Sequence, residues 1–186
     1  MARIPYPEPG DLGEKQREAL DALPPLNVFR MLSHAQSAFR PYLRFGGALL
    51  ADLDLDPVAR ELAILQTARA NGAEYEWVQH VAIGKGVGVT DEQIAALEAG
   101  DLDADAFDAT QGAVVRFTDA VVRTPRPDDD TFGELRAQLS EREIVELLLV
   151  VGAYTMLGRL MTALDLDLDG PLGSDVVDSA RGARRS

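Results

Sequence analysis

Cysteine is absent from this sequence of 186 residues, and the absence excludes several chemistries at once. A chain without thiols forms no disulfide, binds no iron–sulfur cluster or thiolate-ligated zinc, and offers no cysteine nucleophile or thiol redox pair. We therefore predict no thiol-dependent peroxidase or disulfide-reductase activity. The cytoplasm is the compartment expected for a protein of this composition.

Basic residues are also scarce: 18 Lys and Arg stand against 31 Asp and Glu, which gives a net charge of -13. A surface with this charge repels nucleic acids and anionic membranes, so neither is expected as a partner. Long apolar runs are missing too. The longest candidate, 144–157, contains Glu146 and Gly152 and falls short of the ~20 residues that span a bilayer. The first ten residues also lack the apolar segment of a signal peptide.

Helical spacing of apolar residues is what the sequence does have, together with 46% hydrophobic residues, enough for one globular core. No segment shows the sustained alternation of a β-strand. This pattern predicts a single all-α domain over residues 11–168. Residues 1–10 contain three prolines and are predicted to form an extended arm, either free or lying on a neighbouring subunit. Residues 169–186 are predicted to form a flexible tail.

Local signals predict where several helices begin and end. Asp56 before Pro57 predicts a helix start, and the pair Asn71 and Gly72 predicts its end. The next helix is expected to begin near Glu74 and to fade in the glycines of GKGVG. Two capping boxes predict further helices: Thr90 with Gln93, for a helix ending near Gly100, and Ser140 with Glu143, for one ending near Leu164.

Only two histidines, His34 and His80, are available as acid–base groups near neutral pH. His80 has an acidic neighbour, because Glu76 stands four residues earlier on the same face of the predicted helix. One interpretation is functional: Glu76 orients the imidazole of His80 for proton transfer. The other is structural: Glu76 favours the helix N-terminus and forms a local helix pair.

The segment ARELAILQTARANGAEYEWVQHVAIGKGVGVTDEQIAAL resembles the core of the carboxymuconolactone decarboxylase family, whose relatives include the alkylhydroperoxidase D proteins. The resemblance is densest over 57–97 and extends more loosely from 27 to 168. In the redox branch of that family the motif is a glutamate, a Cys-x-x-Cys pair and a histidine. Those positions correspond here to Glu61, Ala73, Glu76 and His80. Because neither cysteine is present, the sequence is similar to the decarboxylase branch instead.

That resemblance implies an all-α helical bundle of the alkylhydroperoxidase D-like type, with about seven or eight helices, that assembles as a homodimer, trimer or hexamer. It also implies a carboxy-lyase without organic cofactor or metal that acts on a small anionic substrate, a carboxylated lactone or keto acid. In this mechanism His80 is the general acid, Glu76 orients its ring, and Glu61 completes a proton relay or holds water.

Four further residues are candidates for contact with such a substrate. Arg30, which shares a helix face with His34, is a candidate clamp for a carboxylate, with a surface ion pair as the alternative. Trp77 either contacts the substrate or packs in the core or at a subunit interface. Tyr154 either adds a hydroxyl to the site or is a buried tyrosine bonded to backbone.

Two other functions fit the same residues. Glu61, Glu76 and His80 are acceptable ligands for zinc or iron, which would make the protein a metal-dependent enzyme. Loss of both family cysteines also fits a non-catalytic homo-oligomer that binds a small ligand or a partner protein. The catalytic interpretation requires the three side chains to converge on one partly enclosed pocket.

Overall fold

Helices make up most of the part of the chain that the computed structural model describes, residues 1–173. These residues contain no strand, one 3₁₀ turn (Pro9–Asp11) and nine α-helices: α1 (Glu14–Asp21), α2 (Asn27–Leu32), α3 (Gln36–Ala51), α4 (Pro57–Asn71), α5 (Glu74–Val87), α6 (Asp91–Ala99), α7 (Ala109–Arg123), α8 (Asp129–Gln138) and α9 (Glu141–Ala163). The predicted all-α class is confirmed. The number of helices exceeds the prediction, because a helix as short as α2 has too few turns to give a periodic signal.

The boundaries of α4 are those that the sequence predicts. The Asp56 carboxylate accepts hydrogen bonds from the amides of Val58 and Ala59, both at 3.0 Å, and Pro57 takes the first helical position. At the other end Gly72 adopts a left-handed conformation with φ at 63°, which a residue without Cβ tolerates. Both ends of this helix are therefore set by local chemistry.

Helix α5 ends within the glycine-rich segment GKGVG. It continues through Gly84 and Gly86 to Val87 and stops at Gly88, whose φ is 114°. A glycine costs about 1 kcal/mol in a helix interior. Here the bare backbone lets Val89 pack closely, because a Cβ on Gly84 would lie 3.2 Å from the Cγ2 of Val89. The helix therefore ends at the last glycine of GKGVG, within the segment where the sequence predicts that it fades, and packing keeps the first two glycines helical.

The longest helix is α9, with 23 residues. Both predicted capping boxes are present, and they begin α6 and α9. By length and composition α9 is apolar enough to cross a membrane, which the interrupted run in the sequence did not indicate. Half of its most apolar window is buried against other helices, which is the pattern of a core helix. Glu146, one of the interruptions, is buried and accepts hydrogen bonds from the Leu55 amide and from Arg142.

Helix α4 lies at the centre of the fold and packs against α5, α7 and α9. Every residue from 59 to 68 is buried, so this part of α4 has no solvent-facing side. The buried stretch includes Arg60 and Glu61, whose charges would destabilise the fold strongly if they had no partners. The partners that they find connect α4 to the candidate site.

The first residues of the chain lie along its own C-terminal segment. The amide of Arg3 donates to the carbonyl of Leu164 at 2.8 Å, and Tyr6 exchanges hydrogen bonds with the amide and the carboxylate of Asp167. Asp169 accepts hydrogen bonds from the backbone and side-chain amides of Asn27, at 2.6 and 2.8 Å. Residues 174–186 of the predicted tail lie outside the described residues, and the predicted domain limits stay a prediction.

Candidate functional site

A chain of three buried polar side chains connects α4 to α5. The Arg60 guanidinium contacts one carboxylate oxygen of Glu61 through Nε and Nη2, both at 3.0 Å, and donates through Nη1 to the carbonyl of Leu50 at 2.7 Å. The other oxygen of Glu61 lies 2.8 Å from Nδ1 of His80. Glu61 is fully buried, and Arg60 and His80 are nearly so. Both oxygens of Glu61 are therefore occupied.

The contact with Glu61 fixes which nitrogen of His80 is available for chemistry. A carboxylate only accepts, so Nδ1 carries a hydrogen and donates it to Glu61. Nε2 is left to exchange a proton with a ligand in the cavity that His80 lines. The ring also packs edge-on against Tyr154, with the two centroids 4.8 Å apart. His80 thus has the fixed orientation that general acid–base catalysis requires.

The prediction that Glu76 orients His80 is wrong, because Glu61 makes that contact. Neither carboxylate oxygen of Glu76 has a hydrogen-bond partner among the described residues. The four-residue spacing does place Glu76 and His80 on one face of α5, where both line the same cavity. A carboxylate on the neighbouring buried helix reaches Nδ1 directly, so the contact within α5 does not form.

The cavity lies between α2, α3, α5 and α9 and has a volume of about 110 Å³. Apolar side chains form most of its wall, and its polar lining consists of Tyr42, Tyr75, Glu76, Gln79, His80 and Tyr154. An apolar cavity of about 150 Å³ accommodates one benzene ring. The cavity therefore suits a compact, mainly apolar molecule that meets polar groups along α5.

Glu76 is the most unusual of the polar groups. Its side chain is only 2% exposed, and burial raises the pKa of its carboxyl well above the ordinary glutamate value. The carboxyl fits against α9 because residue 158 is a glycine: a Cβ there would lie 3.3 Å from Oε2 of Glu76. The fold therefore keeps a place for this carboxyl without giving it a partner.

Three tyrosines, Tyr42, Tyr75 and Tyr154, line the same cavity. Burial raises the pKa of each phenol above its ordinary value, and Asp169 adds to the effect at Tyr75 and Glu61 at Tyr154. All three therefore keep their hydrogen at neutral pH. They can donate or accept hydrogen bonds without bringing charge into the cavity.

The segment that follows α9 is attached to α5 beside the cavity. The hydroxyl of Tyr75 donates to the Asp169 carboxylate and accepts from the amide of Val28 at 3.3 Å. Nε2 of Gln79 donates to the carbonyls of Asp169 and Gly170, at 3.2 and 3.3 Å. These contacts leave Oε1 of Gln79 without a partner among the described residues.

Two of the predicted substrate-binding residues lie away from the cavity. The Arg30 guanidinium stacks on the ring of Tyr6, 4.6 Å from its centroid, and contacts the side chain of Asn27. His34 is exposed, and its Nε2 donates to the carbonyl of Pro5 at 2.8 Å. Both side chains therefore hold the N-terminal arm, and the predicted clamp for a substrate carboxylate is not at the cavity.

The other two predicted binding residues differ from each other in position. Tyr154 lines the cavity and touches His80, whereas Trp77 packs on the opposite side of α5 against a core cluster that includes Leu62 and Leu97. The core alternative for Trp77 is therefore the one that the structure supports. Within residues 1–173, no Lys or Arg side chain lines the cavity.

The metal alternative requires Glu61, Glu76 and His80 to face one point. Glu61 instead gives one oxygen to Arg60 and the other to His80. In the described part of the chain, no group of three His, Asp or Glu side chains is placed to hold a metal ion. These residues therefore do not form the ligand set that the alternative assumes.

Sequence analysis missed Tyr42 and Gln79, and it did not assign Arg60 its role beside Glu61. The sequence does contain a signal for Arg60. It forms a charged pair with Glu61 inside a mainly apolar predicted helix, and charged side chains are rarely buried unless they have a partner. Gln79 lies three residues after Glu76 and one before His80, so the same helix face predicts it. Nothing local distinguishes Tyr42, which reaches the cavity only through the packing of α3.

Comparison with protein families finds one match. Residues 36–120 match the model of the carboxymuconolactone decarboxylase family. The matched segment contains Arg60, Glu61, Glu76 and His80. None of the curated proteins matches the chain.

Solved structures with the same fold cover nearly the whole chain. An uncharacterized peroxidase-related protein from Ralstonia eutropha JMP134, described as an alkylhydroperoxidase AhpD core, is 23% identical with a TM-score of 0.77, over 90% of this chain and 92% of that one. A peroxidase-related protein from Silicibacter sp. TM1040 is 17% identical with a TM-score of 0.76 and the same coverage.

A third structure of this fold contains a small molecule. The debrominase Bmp8, in a variant form in complex with 2,3,4-tribromopyrrole, is 15% identical with a TM-score of 0.72, over 99% of this chain and 95% of that one. At these identities the structures establish the fold. The chain therefore has the alkylhydroperoxidase D-like fold, its residues 36–120 match the carboxymuconolactone decarboxylase family model, and it contains no cysteine.

Proposed function

We propose that the protein is a cofactor-independent carboxy-lyase, or a closely related proton-transfer enzyme, acting on a small keto acid or carboxylated lactone in the cavity. The observation that carries the proposal is the buried contact between Glu61 and His80 at the polar side of an apolar cavity. Burying two ionisable side chains costs free energy, and an apolar pair could fill the same space without that cost. A role in proton transfer would explain why Glu61 and His80 stand here.

The proposed reaction consists of two balanced steps. The carbon–carbon bond to the substrate carboxylate breaks, CO₂ leaves, and the bonding electrons move into the neighbouring carbonyl to form an enolate. Nε2 of His80, as imidazolium, then delivers a proton to carbon, and Glu61 stabilises this form through Nδ1. His80 regains a proton from solvent after the product leaves, so each turnover consumes one proton and no other reactant.

The apolar wall of the cavity supports loss of CO₂. A reactant carboxylate concentrates its charge on two oxygens, whereas the transition state spreads that charge into the carbonyl. An apolar wall without Lys or Arg disfavours the reactant carboxylate more than the transition state, and apolar contacts with the rest of the substrate offset the cost of binding. The predicted anionic substrate thus remains our proposal, but without the predicted arginine clamp.

The comparisons support a compact cyclic substrate. The matching family model is named for a decarboxylase of a lactone, and the Bmp8 structure contains a brominated five-membered ring. The cavity volume of about 110 Å³ restricts the substrate to a small molecule.

The experiment is a screen of small keto acids and carboxylated lactones for CO₂ release, with two histidine variants measured side by side. Removing a positioned acid–base group commonly lowers turnover by about 10² to 10⁴-fold, and we expect a loss in this range for His80→Gln. His34→Gln is the matched control, because His34 is exposed and contacts only the arm. It should leave turnover unchanged.

Melting curves of both variants show whether a loss of activity reflects folding. CO₂ release that persists in a folded His80→Gln protein would refute the assignment of His80. Saturable binding of ring compounds without any CO₂ release would favour the non-catalytic, ligand-binding alternative.

A further inference from the structure

Glu76 is a buried carboxyl that the fold leaves without a partner. It lines the cavity on the same helix face as Gln79 and His80, and neither of its oxygens accepts or donates a hydrogen bond within the described residues. Buried polar groups are almost always paired, so one that is not paired is available to a ligand. The unpartnered Oε1 of Gln79, three residues along the face, is a second available atom.

The side chains that face Glu76 favour the neutral form of its carboxyl. Tyr42 on α3 and Tyr154 on α9 are neutral phenols, and their burial keeps them so. His80, on the same helix, is committed to Glu61 through Nδ1, and Arg60 is turned to Glu61 on the far side. Within the described residues an ionised Glu76 carboxylate would have no hydrogen-bond partner, and no Lys or Arg lines the cavity to compensate for its burial.

We propose that Glu76 is a neutral carboxylic acid that donates a hydrogen bond to the carbonyl oxygen of the bound molecule, and that the cavity therefore selects compact apolar compounds bearing an uncharged carbonyl group. The catalytic part of this inference rests on the proposed function. The selectivity part does not, because it concerns binding alone.

The role follows from where charge develops in the proposed reaction. As CO₂ leaves, negative charge accumulates on the carbonyl oxygen, and a donor fixed there in advance stabilises the enolate more than the neutral carbonyl. The proton of Glu76 is shared in a hydrogen bond and returns with product release, so no bond is formed or broken at Glu76. Oε1 of Gln79 adds an acceptor beside this donor, which favours a hydroxyl or N–H next to the carbonyl.

Burial also raises the pKa of Glu76, in agreement with the geometry. A neutral carboxylic acid kept in an apolar site to act as a donor is an established catalytic device in another enzyme class.

The first experiment measures the protonation state of Glu76 without any ligand. The infrared carbonyl band of a protonated carboxylic acid, obtained as the difference between wild type and Glu76→Gln, should be present at pH 7 and should disappear as the pH is raised. A carboxylate band at pH 7 in place of the acid band would overturn the proposal.

The second experiment compares two probes of equal ring size, cyclopent-2-enone with a carbonyl and cyclopentene without one. Glu76→Met removes the donor, whereas Glu76→Gln keeps a neutral donor at the same position. We expect cyclopentenone to bind about 3- to 10-fold more weakly to Glu76→Met than to the wild type, and Glu76→Gln to retain most of the affinity. Cyclopentene should bind all three proteins alike, which shows that the cavity is intact.

The outcomes separate this inference from the proposed reaction. Equal affinity of wild type and Glu76→Met for cyclopentenone would refute the donor role, whatever the enzyme's activity. An acid band at pH 7 with the expected selectivity would support it even if no keto acid or lactone released CO₂.

Discussion

Glu61 combines two tasks at the residue scale, since it neutralises the buried Arg60 and holds the imidazole of His80. Replacing it by glutamine leaves the arginine charge buried without its carboxylate. Breaking a buried ion pair in this way costs about 3–5 kcal/mol. At this chain length we expect Glu61→Gln to lower the melting temperature by roughly 6–20 °C, as measured by circular dichroism.

A double variant separates the two tasks of Glu61. Arg60→Met combined with Glu61→Gln removes both charges, and replacing a whole buried pair is often close to neutral for stability. The double variant should therefore melt near the wild type, whereas its turnover should stay low because the imidazolium of His80 is no longer supported. A double variant as unstable as Glu61→Gln would show that the unpaired arginine is not the cause.

Glu76 predicts a pH dependence of stability. Below about pH 4.3, the ordinary glutamate pKa, the carboxyl is protonated in both the folded and the unfolded protein. As the pH rises above this value, the unfolded chain releases the proton, whereas the folded protein holds it because burial raises the pKa of Glu76. The free energy of unfolding therefore falls with rising pH until the folded-state pKa is passed.

Glu76→Gln has no proton to release at this position and so should not show that decline. Urea denaturation at several values between about pH 5 and pH 8 should show the variant gaining stability relative to the wild type as the pH rises. A difference between the two proteins that stays constant over this range would contradict a buried, proton-holding Glu76.

Two helical glycines make a matched pair at the scale of the element. A Cβ on Gly158 of α9 would lie 3.0 Å from the Cβ of Ala73 and 3.3 Å from Oε2 of Glu76, whereas a Cβ on Gly133 of α8 would meet nothing within 4 Å. Gly158→Ala should therefore destabilise the protein by about 1–3 kcal/mol through overpacking. Gly133→Ala should stabilise it by up to about 1 kcal/mol, because alanine favours the helix.

Denaturation midpoints of the two alanine variants test the close contact between α5 and α9. If both alanine variants were more stable than the wild type, a lack of room for a Cβ would not explain the glycine at position 158. A ligand-binding measurement adds to the test: Gly158→Ala should displace Glu76 and weaken cyclopentenone binding, whereas Gly133→Ala should leave it unchanged.

The helices were predictable where the signal is local. Asp56, Thr90 and Ser140 satisfy backbone amides only two or three residues away, so their sequence context contains all the information needed. The segment GKGVG was predicted to end α5 and does so at Gly88, but the helical state of Gly84 was less predictable, because it depends on packing against Val89 in the following loop.

The candidate site, too, was predictable from the sequence only in part. Glu61, Glu76 and His80 were identified as a set through the family resemblance, but their pairing depends on how α4 and α5 lie against each other. A four-residue spacing indicates a shared helix face, and it does not show whether a carboxylate on another helix is closer. Arg30 and His34 share a face as predicted, yet that face meets the N-terminal arm instead of the cavity.

At the scale of the whole molecule, one face of α9 stands out in a chain with a net charge of -13. Val145, Leu148, Leu149 and Met156 are 57%, 43%, 46% and 52% exposed, and their spacing follows one side of the helix. Phe45 on α3 is also exposed, at 40%. Apolar side chains concentrated on one helix face favour contact with another protein surface.

We expect this face to join copies of the same chain, in agreement with the homo-oligomer that the family resemblance implies. A two-fold axis would pack α9 of one copy against α9 of another, since a self-complementary patch serves both partners. Light scattering at micromolar concentration should then give a multiple of the 20.1 kDa chain mass. Added salt should strengthen the assembly, because it screens the repulsion between two acidic subunits.

Leu149→Glu places a charge in the middle of the proposed contact and should shift the measured mass toward 20.1 kDa. Leu168→Glu is the matched control: Leu168 is 56% exposed but lies in the segment after α9, away from the face, so this variant should keep the wild-type mass. A wild-type mass of one chain at all concentrations would refute the assembly. A mass unchanged by Leu149→Glu would place the contact elsewhere, because a buried glutamate without a partner destabilises an apolar interface by several kcal/mol.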